Sequence, residues 1–280
     1  MASTTALQGG EVAPCDELRA QPLLKITAQR TEGAFEQPVS EELAAEVPVA
    51  MQYNGRPHAV MLATPSDLAD FAYGFALTER IIGSIDELTL LDTCWTQHGV
   101  ALEMLIPASR AASLLTRDRN LTGRTGCGLC GTATLEAAIR PVRRVAAVST
   151  CVTASDIWAG MRRLSALQPL NSVSGAVHAA AMMSTDGTLT VREDVGRHNA
   201  IDKAAGAVVR AGKTPHALLV TSRASYEVVH KAAEVACTLV AAISAPTALA
   251  LKLAQEAGVT LVGWTREPRL TVYCGALHRH

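Results

Sequence analysis

The chain has 280 residues, 49% of them apolar and 18% charged, enough for a sizeable core and a length that suggests about two domains. Its formal net charge of −1 excludes a global electrostatic footprint for nucleic acid or an anionic membrane, so any anion must be met by local arginines. No apolar run approaches the roughly 18 residues of a membrane span, no secretory pattern opens the chain, and seven scattered cysteines do not resemble a disulfide framework; the expected compartment is a reducing cytoplasm.

Residues 1–22 lack periodicity and are expected to be a flexible tail. A small α+β domain is expected over 23–140. In it Val47–Tyr53 and Arg56–Leu62 flank Asn54-Gly55, the strongest short hairpin signal, because both centres of a type I′ turn need positive φ. Leu68, Phe71, Ala72 and Phe75 follow Ser66-Asp67 as an amphipathic helix, with Ser66 or Asp67 as N-cap. Leu88–Leu91 and Val100–Ile106 are further strands.

This half ends in Gly123-Arg124-Thr125-Gly126-Cys127-Gly128-Leu129-Cys130-Gly131. Its glycines relax the backbone around two thiols spaced for sulfur chemistry. Arg124, the CxxC spacing itself and a helix start in the run Thr132 to Arg140 each lower a thiol pKa. Three readings are open. A zinc site needs two more ligands, which Cys94 and His98 could supply. A thioredoxin-type centre needs the motif to open a helix directly after a strand. A sulfur carrier needs a thiolate that accepts sulfur as a persulfide, and uses the glycines best.

From 141 onward an α/β domain is expected. Val142–Ser149 reads as a strand, Ser155–Leu167 as a helix, and Val177–Ser184 with Leu189–Glu193 as an antiparallel hairpin. Strands at Ala217–Thr221, Leu239–Ser244 and Val259–Trp264 alternate with helices at His198–Arg210, Ser225–Cys237 and Pro246–Glu256, so parallel pairing through right-handed crossovers follows. Gly212 and Gly258 stand at helix C-termini.

Ligands of such sheets bind beyond the carboxyl ends of the strands. Thr221-Ser222-Arg223, Ser244–Thr247 and the segment Trp264, Thr265, Arg266, Glu267, Pro268 and Arg269 fall there. The expectation is a nucleotide-like ligand: Trp264 stacks on a ring, Arg266 or Arg269 forks onto phosphate, and helix N-termini add positive potential. Asp194–Lys203 packs Arg197, His198 and Asn199 at another helix start, where either His198 or Asn199 could cap. It is read either as an anion site or as a buried network. His178, alone in an apolar strand, is a core or a catalytic histidine.

The segments Gly123–Gly131, Val191–Lys203 and Ser244–Thr247 together resemble the formate dehydrogenase accessory sulfurtransferases called FdhD. The resemblance runs from about Val47 to Tyr273. It implies a cytidine-deaminase-like layered mixed sheet without zinc, behind the smaller α+β domain. It also implies that Cys127 takes persulfide sulfur from a cysteine desulfurase, with Cys130 as relay or resolving thiol. The sulfur then passes to a molybdenum or tungsten bis-guanine-dinucleotide pterin bound as substrate, before that cofactor enters formate dehydrogenase. Trp264 to Arg269 matches the family's cofactor-binding stretch, with Arg223, Arg197 and His198 beside it; Glu267-Pro268 departs from its more usual glycine-containing basic sequence. A homodimer is implied as well, with no structural metal. The competing reading is a cofactor-binding chaperone whose cysteines are structural or zinc-binding.

Overall fold

The computed structural model describes residues 21–33, 35–118, 141–146 and 152–278. The CxxC loop, the run Thr132 to Arg140 and nearly all of the expected tail lie outside the described residues. The first element, an antiparallel ribbon of Leu23–Glu32 (β1) and Phe35–Ala44 (β2), is one that sequence reading leaves out. Its polar residues outnumber its apolar ones and Gly33 is its only turn signal.

Val47–Tyr53 (β3) and Arg56–Ala63 (β4) turn at Asn54 and Gly55, whose φ values are 52 and 73, as the hairpin signal requires. With Thr89–Thr96 (β5) and Gly99–Leu105 (β6) they form a sheet of order β4-β3-β6-β5. Helix Leu68–Thr78 (α1) buries Phe71 and Phe75 against it. Helix Ala108–Asp118 (α2), not expected from sequence, adds Leu114 to the same core. Asp67 occupies the expected N-cap position, but no side-chain cap bond forms. Its backbone is left-handed (φ 53), and its carboxylate lies 3.3 Å from Arg192 instead.

The second unit contains His178–Ser184 (β7), Leu189–Asp194 (β8), Pro215–Val220 (β9), Leu239–Ala242 (β10), Thr260–Arg266 (β11) and Arg269–Cys274 (β12). Their order is β12-β11-β10-β9-β7-β8, with β9, β10 and β11 parallel and the remaining pairs antiparallel. Ala154–Ala166 (α3) packs Ile157 and Leu164 on one face. Pro169–Ser174 (α4) is a short helix that sequence reading does not assign. Arg197–Arg210 (α5), Tyr226–Glu234 (α6) and Ala248–Ala257 (α7) cover the other face. Alternation in β9 sends Leu218 to one core and Leu219 to the other, as a sheet buried on both sides demands.

One expected strand is corrected. Of Val142–Ser149, the described part is not a strand. Val145 N–H donates to the Ala257 carbonyl at 2.8 Å, so this stretch runs past the end of α7, while β8 and β12 take the two sheet edges.

The two units are joined by a polar seam. Asp194 and Lys203, both fully buried, pair at 2.7 Å. Around them Thr64 N–H donates to Asp194, and Lys203 donates to the Thr64 carbonyl. Lys231 donates to Asp202, Thr78 and Glu79, and Arg192 donates to Asp70.

Candidate functional site

Because β9, β10 and β11 are parallel, their carboxyl ends share one edge of the sheet; antiparallel β7 starts there and β8 ends there. The loops at this edge are laced together. Ala179 N–H donates to Thr221 Oγ1 at 3.0 Å. Ala224 and Pro246 form an isolated parallel bridge, beside which Thr247 N–H donates to the Ala224 carbonyl at 3.0 Å. Trp264 N–H donates to the Ser244 carbonyl at 3.3 Å. The three segments expected to meet are therefore neighbours, and His178 with the start of α5 joins them. From β7 to β11 this rim spans three strand spacings, about 14 Å.

The third segment differs from expectation. It is the tip of the β11–β12 hairpin rather than a free loop, with Arg266 opposite Arg269 and Glu267-Pro268 as the turn. Trp264, at φ 55 and 38% exposed, lies under the Arg269 guanidinium at 5.0 Å from the ring centroid, an attractive cation–π distance. Thr265 is buried, and its hydroxyl donates to the Ala242 carbonyl at 3.0 Å. Glu267 pairs with Arg162 of α3, and Pro268 is exposed. Thr265 is thus turned into the structure and Glu267 is engaged, which leaves Trp264, Arg266 and Arg269 as the groups presented outward.

The Asp194–Lys203 motif divides between its two readings. Asp194, Asn199, Asp202 and Lys203 are buried in the seam. Neither His198 nor Asn199 caps α5: Gly196 is the N-cap, and the Asn199 amide donates to Asp194 at 2.9 Å and to the Leu62 carbonyl at 2.8 Å. A Cβ on Gly196 would lie 2.9 Å from that amide nitrogen, so the packing explains the glycine. Arg197 and His198 remain at the rim. His198 Nε2 sits 2.6 Å from Glu227 Oε2 of α6, and a pocket of about 240 Å³ opens between β4 and α5 beside His198, Gly196 and Leu62. His178 is held below the usual histidine range, first by burial, then by the positive charge of Arg197 and His198.

Among the described residues, the guanidinium groups of Arg197, Arg223 and Arg266 have no acidic partner, so the rim carries unpaired positive charge, at Arg197 and Arg223 close to helix starts and at Arg266 on the hairpin tip. Glu227 has no signal in sequence, since an acid in the first turn of a helix reads as an ordinary complement to the dipole.

The described thiols are poor nucleophiles. Cys94 donates to Asp92 at 3.1 Å, and that hydrogen bond pushes its thiol up. Burial pushes Cys237 up to about 12 and raises Cys274. His98 contacts Gln97 at 3.0 Å, and among the described residues no group of three His, Cys, Asp or Glu could hold a metal ion. No helix among them is long and apolar enough to cross a membrane.

The FdhD/NarQ family model matches residues 44–279. A relative named sulfur carrier protein FdhD from Cupriavidus necator is 48% identical over 239 residues, covering 83% of this chain and 82% of its own. Its namesake from Xanthomonas campestris pv. campestris strain B100 is 47% identical over 253 residues, covering 88% and 89%. The crystal structure of a proposed formate dehydrogenase accessory protein from Desulfotalea psychrophila superposes with a TM-score of 0.68 at 22% identity, covering 91% of this chain and 98% of that one, a likeness of fold.

Proposed function

Because this chain belongs to the FdhD/NarQ family, we propose that it is a sulfur carrier in the maturation of formate dehydrogenase. Cys127 accepts the terminal sulfur of a persulfide on a cysteine desulfurase. The resulting Cys127 persulfide is more acidic than a thiol, so it is anionic near neutral pH and suits a soft metal. Cys130 resolves it: its thiolate attacks Cys127 Sγ, the terminal sulfur leaves as sulfide with both electrons of the broken S–S bond, and the two cysteines become a disulfide. The acceptor is a molybdenum or tungsten bis-guanine-dinucleotide pterin, held as substrate on the rim. A homodimer completes this reading.

The observation that carries it is the rim itself. Trp264 offers a ring face for guanine, and Arg197, Arg223 and Arg266 offer forked donors for pyrophosphate at the edge where such sheets bind ligands. The protein's contribution is orientation, because holding sulfur and acceptor together replaces a bimolecular encounter. The raised Cys94, Cys237 and Cys274 thiols support the choice of the CxxC pair, since transfer needs a thiolate.

The test is to incubate the purified protein with a cysteine desulfurase and cysteine, then map added sulfur by mass spectrometry. One reductant-labile sulfur on the peptide carrying Cys127, lost in Cys127→Ser, is expected. No adduct would leave a cofactor-binding chaperone, and full client activity with a Cys127→Ser/Cys130→Ser double variant would rule the carrier out.

A further inference from the structure

We propose that the β1–β2 ribbon is a dimerisation arm whose apolar face packs on the same face of a second copy of this chain. This gives a surface to the two-copy assembly of the proposed function but does not depend on the sulfur chemistry, because the ribbon's own pattern carries it.

β1 and β2 are ten residues each and form a sheet of their own. A two-stranded ribbon standing alone in water is marginal, so its order calls for packing on one face. The register sets Leu24 opposite Leu43, Ile26 opposite Glu41, Ala28 opposite Val39, Arg30 opposite Gln37 and Glu32 opposite Phe35, which puts these side chains on one face. Six of them are apolar. Beyond Leu23 and Ala44 at the base, the other face carries only polar residues and Pro38. None of the six apolar residues enters or packs against the three hydrophobic cores. β2 passes beside α4, yet Phe35 stays 80% and Leu43 47% exposed.

The face matches itself. A two-fold axis lying across the strands at the Ala28–Val39 pair lays two such faces together in opposite directions. Val39 then meets the partner subunit's Val39, and Leu43 meets the partner subunit's Phe35. Glu41 lies over the partner subunit's Gln37, with the partner subunit's Arg30 beside it. Within one chain Arg30 already reaches back along this face to Glu41 at 2.6 Å, with the two side chains 49% and 38% exposed. In the pair of ribbons these become four alternating charges about the centre of the contact, while Glu32 falls at its rim. The apolar residue most exposed to water is covered, and each Glu41 gains a second guanidinium. Such self-complementarity is what an isologous interface requires, and it selects a second copy over an unrelated partner.

The size of the face sets the strength. Ten residues at about 3.3 Å each and two strands about 4.8 Å apart give a face of roughly 300 Å². Two faces bury roughly 600 Å², less than the about 1,200 Å² at which stable interfaces begin. The arm therefore makes a dimer that dissociates on dilution.

The test is sedimentation velocity of the full-length protein across a dilution series, in which wild type is expected to pass from dimer to monomer. Arg30→Glu gathers four carboxylates at the centre of the contact and Glu41→Arg four guanidinium groups. Each alone should weaken dimerisation at least about tenfold, since like charges facing one another across an interface are costly. Mixed in equal amounts, the two variants place carboxylates on one ribbon and guanidinium groups on the other, so dimers containing one chain of each kind should return. A misfolded variant could not be rescued in this way. Phe35→Asp, at a position outside every core, should weaken dimerisation as well. A wild-type protein that stays monomeric at every concentration, or a mixture that stays monomeric, would overturn the arm. A dimer untouched by all three variants would also overturn it, and would put the homodimer on another face. Sulfur loading, measured separately, bears on the carrier reading alone.

Discussion

Gly74 of α1 and Gly206 of α5 face each other where the two helices cross. A Cβ on Gly74 would lie 1.7 Å from the Asp202 carbonyl oxygen, and one on Gly206 1.9 Å from that of Asp70. Backbone meets backbone here, and no side-chain adjustment can make room. Gly74→Ala or Gly206→Ala is therefore expected to force the helices apart and cost about 1–3 kcal/mol or more. The urea midpoint should fall in both variants. An unchanged midpoint would mean that the crossing is looser than described.

The rim should bind guanine nucleotides through charge. Arg223→Ala and Arg266→Ala each remove a guanidinium without an acidic partner among the described residues, so little internal rearrangement offsets the loss. Hydrogen bonds to charged groups contribute about 1.5–3 kcal/mol, so affinity for guanosine diphosphate in calorimetry should fall about tenfold or more per variant. Added salt should weaken wild-type binding in the same direction. Unchanged affinity in both variants would take the ligand off this edge.

Stability should depend on pH through His178 and His216. Both are held below the usual 6.5, His178 first by burial and then by Arg197 and His198, His216 by burial. The unfolded chain therefore binds protons more readily than the folded one. The stability contributed by keeping these rings neutral is complete above 6.5, and it is lost as pH falls from there towards the lowered folded values. NMR titration should place both rings below 6.5. In Arg197→Ala the His178 midpoint should rise yet stay below 6.5, because burial remains. A His178 midpoint at or above 6.5 in the wild type would contradict this.

Thiol chemistry should separate the cysteines. Cys237, pushed up to about 12 by burial, is expected to resist iodoacetamide in the native protein at pH 8 and to react fully once unfolded. Cys274 and Cys94 should react more slowly than a free thiol, and none of the three should carry sulfur after exposure to a desulfurase. Rapid native labelling of Cys237 would show that its site opens.

Much of the fold is legible locally. Asn54-Gly55 and the β7–β8 hairpin are written in turn signals that join neighbouring strands, and the alternation from α5 to β11 is written in the hydrophobic period of each element, although its parallel strands pair across intervening helices. The β1–β2 ribbon, α2, α4 and β12 escape such reading because their patterning is weak and each needs a partner that sequence does not name. The site behaves likewise. That three loops meet follows from parallel topology, and the family follows from the motif around Cys127 and from Val191–Lys203. That Thr265 turns inward while Trp264 lies under Arg269 follows from the hairpin that β12 makes.

The sequence alone determined the order of most elements, the edge of the sheet where three polar segments meet and the thiols to suspect, because turn chemistry and hydrophobic period are short-range properties of the chain and the alternation of strands with helices sets their common direction. Only the tertiary structure decided which polar residues of Asp194–Lys203 hold the two units together and which face outward. It alone brought Glu227 to His198 and Gly74 to Gly206. Those partners lie 29 and 132 positions apart in the sequence, and nothing but the packing of whole helices chooses between one distant neighbour and another.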